Sequence, residues 1–298
     1  MEQKLVVILG PTASGKSALG VKLAKKFGGE IISADSRQIY KKLNIGSGKI
    51  TKQEMAGIPH YLLDVALPKN KFTVSQYQKL ALKAILEVQK KGKIPFLVGG
   101  SPFYIYAVTD GIAIPEVKPS KKLRKKLEKL SIEQLFAKLR KLDPQRAKTI
   151  EQKNRRRLIR ALEIVITTKK PVPKLEKNPL PYPVLFLGIK KSPEELKKLI
   201  RKRFLNMLKK GFLTEVRKLK VSGISWKRIE SFGLEYREAS WFLQGKISKE
   251  EMIEKAVKAT QDFSRRQMTW FKKDTRISWM KGVKSAEALV LNFLNSFG

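Results

Sequence analysis

The tightest constraint on this chain is eight residues long. Gly10-Pro11-Thr12-Ala13-Ser14-Gly15-Lys16-Ser17 satisfies the pattern G-x-x-x-x-G-K-[ST], and its flanks give the pattern meaning. A short apolar run, Leu5–Leu9 (LVVIL), precedes it, and helical spacing follows over 16–27. A strand, a glycine-rich turn and a helix in that order aim successive backbone amides at a phosphate group. The helix N-terminus adds partial positive charge. Lys16 adds a full charge, and the Ser17 hydroxyl is a ligand for Mg²⁺. The pattern calls for a diphosphate or triphosphate and leaves open which one.

Further strands are expected at 30–34 (EIISA), 94–98 (IPFLV, closed by Gly99-Gly100) and 184–189, with an amphipathic helix over 74–91. Strands alternating with helices imply an α/β core, a parallel sheet flanked by helices as in phosphate-loop NTPases. Ligands collect at the carboxyl ends of such strands, so Asp35 should face the same crevice as the glycine loop. An aspartate there can hold Mg²⁺ through water, act as a general base, or cap the turn that follows it. The interval before the last of these strands is too long for one crossover. Residues 111–183 open on Pro115 and Pro119, close on Pro171, Pro173, Pro179, Pro181 and Pro183, and contain three helical patterns without a strand. They carry 21 basic against 7 acidic residues, a net of +14. The expected organisation is a core of 1–110 and 184–298 with an inserted, basic, all-helical domain at 111–183. The tail is expected to be helical over 193–220, 235–244 and 248–273.

Charge narrows the function classes. The chain has 298 residues, with 64 basic and 26 acidic, for a net +38. That excess suits a polyanion, nucleic acid or an anionic membrane surface; a lysine-rich or heat-adapted surface is the plainer alternative. No apolar run approaches the roughly 20 residues of a membrane span, so no membrane partner is expected. There is no cysteine, and His60 is the sole histidine, which excludes disulfides and a zinc site built on thiolates or imidazoles. The expected setting is cytoplasmic, and nothing in the pattern demands more than a monomer.

Three helical patterns place polar side chains. Over 194–210, Leu196, Leu199, Ile200 and Met207 form one stripe. At about 100° per residue, Arg203 falls inside that stripe, while Lys198, Lys202 and Lys209 lie off it. An arginine facing inward needs a buried anion, unless it snorkels at the core edge or meets a core carboxylate. Over 154–168, Leu158, Ala161, Leu162 and Val165 make the apolar face, and Arg156 and Arg160 are expected on the solvent face as neighbours four apart. Gln267 shares a face with Val257, Thr260 and Phe271, lining either a site or the core. Trp226, Trp241, Trp270 and Trp279 are read as core residues.

Seven segments together resemble the tRNA dimethylallyltransferase family of phosphate-loop prenyltransferases, nearly end to end: GPTASGKS (10–17), DSRQIYKKLNIGSGK (35–49), PHYLLDV (59–65), VGGSPFY (98–104), DPQRA (143–147), RRLIRALEI (156–164) and RQMTWFKKD (266–274). The resemblance implies a donor, dimethylallyl diphosphate, whose diphosphate sits in Gly10–Ser17 with Mg²⁺ on Ser17. It implies an acceptor, the N6 amine of adenosine 37 in a tRNA anticodon stem-loop. By it, Asp35 is the general base, Lys16 and Arg203 steady the departing diphosphate, and Ser101 replaces the usual threonine while keeping the hydroxyl. Asp35, Ser36, Arg37, Gln38 and Ser101 would meet the target adenosine, and Arg156, Arg157, Leu158, Ile159 and Arg160 the rest of the tRNA. The chain departs from the family at Glu235, where a glycine is common, and at Tyr61, where many relatives have a histidine. It also lacks the cysteine- and histidine-rich finger of eukaryotic relatives, which implies the bacterial form. A phosphate-loop kinase of small molecules or nucleotides, or a nucleic-acid-binding ATPase, remains the alternative. The large basic insertion argues against the first. The lack of an acidic residue after 94–98 argues against the second.

Overall fold

A computed structural model describes residues 3–115, 117–174, 176–280 and 282–296. Six strands form one parallel sheet: β1 (Leu5–Leu9), β2 (Gly29–Ala34), β3 (His60–Tyr61), β4 (Ile94–Gly99), β5 (Val184–Ile189) and β6 (Ile277–Met280), in the order β3-β2-β4-β1-β5-β6. The four longer central strands lie where the apolar runs place them. The two edge strands were not foreseen. At two and four residues they are too short to carry a legible alternation.

The helices in the first part are α1 (Lys16–Lys26), α2 (Lys52–Met55), α3 (Val74–Lys90) and α4 (Pro102–Thr109). Between β4 and β5 follow α5 (Lys121–Leu127), α6 (Ile132–Leu142), α7 (Pro144–Thr149) and α8 (Arg155–Thr168). After β5 come α9 (Pro193–Lys209), α10 (Phe212–Val221), α11 (Trp226–Glu230), α12 (Leu234–Leu243), α13 (Lys249–Phe271) and α14 (Val283–Asn295). The single helix expected over 193–220 is two, because Gly211 turns the chain at φ +89° between α9 and α10, a conformation that favours glycine.

The sheet is apolar on both faces, as a parallel sheet covered by helices requires. Val6, Ile8, Phe96, Val98 and Leu187 pack with Leu23 of α1 and Val290 of α14. The alternate residues Val7, Ile32 and Leu97 are equally buried, and the Tyr77 hydroxyl on α3 donates to Ser33 O at 3.1 Å. Each such large apolar side chain contributes about 1.5–3 kcal/mol through burial.

The register of the sheet positions the site. Leu9 pairs with Gly99 and Gly188, and Ala34 also pairs with Gly99. Four strands therefore reach one level, and the next residue along each, Gly10, Asp35, Gly100 and Ile189, shares one rim. Because β1 lies between β4 and β5, this rim is also where the strand order reverses, which is where α/β sheets open a ligand crevice.

The chain forms two compact units, residues 1–111 with 179–298, and residues 112–178. The second set of prolines, 179–183, belongs to the larger unit: Leu180 N–H donates to Thr109 O at 3.3 Å and Leu5 N–H to Pro183 O at 3.2 Å. Among its described residues the smaller unit holds four helices rather than three, around Leu127, Leu135, Leu139, Leu158 and Leu162. Asp143 caps α7 by accepting from Arg146 N–H at 2.9 Å, and its other oxygen accepts from Val172 N–H at 2.7 Å.

The four tryptophans are not core. Trp270 is 44% exposed on α13 and stacks on Tyr106, and the other three are half-buried. Partial exposure suits a large amphipathic side chain. Tyr61 sits at the sheet edge, donating to Glu30 at 2.7 Å while Lys91 donates to its hydroxyl at 2.6 Å. The family departure there is a local network far from the glycine loop's rim position.

Candidate active site

The turn after β1 is shaped by backbone conformations that few side chains allow. Gly10 has φ +153°, and a Cβ there would lie 2.8 Å from Ile189 O. Gly15 has φ +90°, and Ala13 is held at φ +61°, a strained position for a residue with a Cβ. Gly15 precedes α1 without a side-chain cap, so the first-turn amides remain available to a ligand anion. The Ser14 hydroxyl is buried without a hydrogen-bond partner, which suits a loop waiting for an acceptor-rich group. Ser17 is exposed at the loop's mouth.

Two cations reach this turn. Lys16 folds its ammonium back to donate to Pro11 O at 2.5 Å. Burial pulls its pKa down to about 7, Asp35 opposing the fall and Arg203 adding to it. Arg203, half-buried on α9, donates through Nη1 to Thr12 Oγ1 at 2.8 Å and through Nη2 to Ser47 O at 3.3 Å. The inward arginine expected from the helical pattern is therefore attached to the glycine loop itself. Gly48 makes room for it: a Cβ there would stand 2.3 Å from Nη2, and its φ is +58°. Among the described residues neither cation has a carboxylate in ion-pair distance.

The Asp35 turn faces the same rim. Asp35 Oδ1 accepts from Arg37 N–H at 2.7 Å and from Gln38 N–H at 3.4 Å. The capping role is real, and it occupies one oxygen only. Ser101 Oγ, entering from the turn after β4, accepts from Ser36 N–H at 3.1 Å. Gln38 Nε2 donates to Gly48 O at 3.1 Å, and Arg37 Nη1 to Ser36 O at 3.5 Å. Asp35, Ser36, Gln38 and Ser101 thus form one hydrogen-bonded rim with the loop that holds Arg203.

Two further side chains support this rim. Glu215 on α10 accepts from the amides of Asn44, Ile45 and Gly46 at 2.8, 2.7 and 3.0 Å and from the Tyr236 hydroxyl at 2.8 Å. It fixes the 44–48 segment against which Arg203 rests. Gln267, whose helical face admits either site or core, is a latch: its Oε1 accepts from Thr12 N–H at 2.9 Å and its Nε2 donates to Gly100 O at 2.5 Å. Nothing local marks Glu215, whereas Gln267 was visible as a polar residue on an apolar face. Glu235 is buried on α12 and accepts from Thr260 Oγ1 at 3.2 Å. Burial raises its carboxyl above the ordinary range, with Arg203 pulling the other way.

In the smaller unit the expected contact stretch divides. Arg156 and Arg157 are exposed. Leu158 is fully buried and Ile159 is 8% exposed in the helical core, so their side chains face away from any partner. Arg160 is not on a solvent face beside Arg156. It donates to Glu163 at 2.7 Å, to Val117 O at 2.9 Å and to Pro115 O at 3.3 Å. A buried carboxylate attracts it inward, and the helical wheel, which sees only its own helix, could not register that.

Comparisons with known proteins bear on the chain as a whole. The family model described as IPP transferase matches residues 38–274, well over half the chain, beginning after the glycine loop. A tRNA dimethylallyltransferase of Cyanothece sp. is 41% identical over 280 residues, covering 93% of this chain and 92% of its own. Another, of Thermoanaerobacter sp., is 39% identical over 307 residues, covering 99% and 97%. The crystal structure of the full-length tRNA isopentenylpyrophosphate transferase of Bacillus halodurans has a TM-score of 0.73 at 34% identity, covering 99% of this chain and 96% of that one. A eukaryotic dimethylallyltransferase acting on tRNA gives 0.78 at 25% identity, with 99% and 80% covered. The chain belongs to the IPP transferase family, the tRNA dimethylallyltransferases.

Proposed function

We propose that the protein transfers the dimethylallyl group of dimethylallyl diphosphate to N6 of adenosine 37 in the tRNA anticodon loop and releases diphosphate. The observation that carries this reading is the shared rim. A glycine loop with two cations lacking carboxylate partners stands beside an aspartate with one uncommitted oxygen. In the reaction the adenine N6 forms a bond to the allylic carbon, the carbon–oxygen bond to diphosphate breaks, and the N6 proton passes to Asp35. Loop amides, Lys16 and Arg203 stabilise the charge that develops on the leaving group. Gln267 and Glu215 hold those groups in place. Ser36, Arg37, Gln38 and Ser101 line the acceptor side.

Mg²⁺ suits the donor set. Ser17 offers one hydroxyl at the mouth of the loop, and no cluster of three His, Asp or Glu gathers among the described residues. Such a site suits a cation held mostly by water and diphosphate oxygens. When bound it neutralises part of the leaving-group charge. The acceptor adenine must leave its stack, which costs a few kcal/mol and less in a loop than in a duplex. Exclusion of water protects the donor. Arg156 and Arg157 supply phosphate contacts from the insertion. The cradle is assembled from one copy of the chain, so a monomer suffices, and a tRNA substrate puts the enzyme in the cytoplasm. No helix among the described residues is long and apolar enough to cross a membrane.

The test is to incubate the protein with tRNA, Mg²⁺ and labelled dimethylallyl diphosphate and to identify the labelled nucleoside by mass. Transfer to adenosine supports the reading. ATP consumption without transfer would replace it with a kinase or ATPase.

A further inference from the structure

Some surface cations of the larger unit find carboxylates: Lys26 with Glu287, Lys49 with Asp64, Lys91 and Lys93 with Glu30, Arg276 with Asp110 and Asp274. A groove of about 730 Å³ between α9 and α13 gathers several cations that do not. Lys198, Lys202, Lys209 and Lys249 line it, with Leu205 and Ile253 among its apolar residues. None of the four lysines has a carboxylate in ion-pair distance among the described residues. Glu254, on α13, pairs with Arg201 at 2.6 Å instead.

The groove is not the active site. At about 100° per residue, Lys198, Lys202 and Lys209 lie roughly 100–140° around α9 from Arg203, which points to the glycine loop. They form a stripe spanning about 16 Å at 1.5 Å per residue. Four like charges held together without neutralisation repel one another, an arrangement that a polyanion relieves. Long stems over an apolar floor keep the ammonium groups presented outward.

We propose that this α9–α13 groove docks the sugar-phosphate backbone of the tRNA substrate outside the anticodon loop that enters the active site. The inference rests on the proposed reaction for the identity of the polyanion. A strand of phosphates matches the stripe in charge and in extent, and its counterion release rewards every neutralised phosphate. The same helix then serves two parts of one substrate set, Arg203 the donor and the lysine stripe the RNA.

The experiment uses the full-length protein with Lys198→Gln, Lys202→Gln and Lys209→Gln combined. The control carries Lys22→Gln, Lys25→Gln and Lys284→Gln, which removes equal charge elsewhere. Affinity for full-length tRNA and for an isolated anticodon stem-loop is measured by filter binding across salt. The groove variant should bind full-length tRNA at least tenfold more weakly near 0.15 M salt. Its log K against log salt slope should fall by about 2–3, at roughly 0.7–0.9 per phosphate. Stem-loop affinity, donor KM and kcat at saturating tRNA should hold. A full-length tRNA affinity no weaker than the control's overturns the proposal, as does loss of binding to anionic vesicles with tRNA binding intact. If the unaltered protein binds tRNA through the groove yet transfers no label, the reaction assigned above fails while the docking surface stands.

Discussion

The glycine-loop rim and the interior of the helical insertion both gather cations, and they treat them in opposite ways. In the insertion, Arg124 donates to Glu163 through Nε at 2.8 Å and Nη2 at 2.6 Å, Arg160 adds a third bond at 2.7 Å, and Ser120 N–H a fourth at 2.8 Å. Glu163 is fully buried, and its partners satisfy it. At the rim, Lys16 and Arg203 meet carbonyls and a hydroxyl, and among the described residues no carboxylate comes within ion-pair distance of either. The same residue types thus build structure where a carboxylate closes the circle, and remain available for the proposed chemistry where none does. Net charge alone ranks these regions the wrong way for function. The more basic insertion commits two arginines to its own core, whereas the rim leaves its two cations unpaired, as the proposed donor site requires.

The sharpest contrast comes from removing one carboxylate oxygen in each region. Asp35→Asn should lower kcat by about 10²–10⁴-fold, the usual span for a general base, while tRNA affinity stays within about twofold and the melting temperature holds. The amide carbonyl still accepts from Arg37 and Gln38, so the cap survives and the proton acceptor does not. Single-turnover transfer rates together with filter binding separate the two; full activity in this variant removes Asp35 as the base.

Glu163→Gln should do the reverse. Breaking a buried ion pair costs about 3–5 kcal/mol, read by denaturant unfolding or by hydrogen exchange on α5 and α8, with kcat at saturating tRNA unchanged where the unit stays folded. The pH dependence has a definite sign. Burial alone would raise the Glu163 carboxyl, but Arg124, Arg160 and the Ser120 amide hold it below its ordinary value. Its stabilisation is present above the unfolded pKa and is lost as pH falls through the folded one. Stability that ignores this residue in acid would undo the comparison.

Donor binding titrates the rim. With the free Lys16 ammonium near pKa 7, a bound diphosphate must raise that value, so donor binding takes up a proton above neutrality. Donor affinity should level off below pH 7 and fall by up to tenfold per pH unit above it. Lys16→Arg, always charged, should flatten that fall while sharing the donor's own ionisation. Equal pH profiles for the two proteins would mean that Lys16 does not meet the diphosphate.

How much of this was readable in the chain follows from where each signal resides. The glycine loop and β1, β2, β4 and β5 were legible because glycine spacing and apolar runs are local. Arg203 was legible because a charge inside an apolar stripe is an anomaly within one helix. Glu215 was not, since its amide partners lie at 44–46 and no local pattern links α10 to them. Arg160 was misplaced for a related reason: its helix permits a solvent face, but Glu163, only one turn away, is itself pinned by Arg124 and Ser120 from another helix. Satisfaction of a buried charge is a tertiary property, and periodicity does not encode it.

The smallest effect tests that distinction within a single helix turn. Arg156 is exposed, and Arg157 makes only a 3.3 Å pair with Glu151 between two half-exposed side chains, a pair of little stabilising weight. Arg156→Gln should lower the salt slope of tRNA binding by roughly 0.7–0.9, one phosphate's share, and leave unfolding unaffected. Arg160→Gln should leave the slope alone and destabilise the insertion, because it strands part of the Glu163 carboxylate and two bonds to backbone carbonyls. If Arg160→Gln shifted the slope as Arg156→Gln does, the arginine would be bound to RNA rather than to its own fold, and pairing with a carboxylate would no longer separate structural from functional cations in this protein.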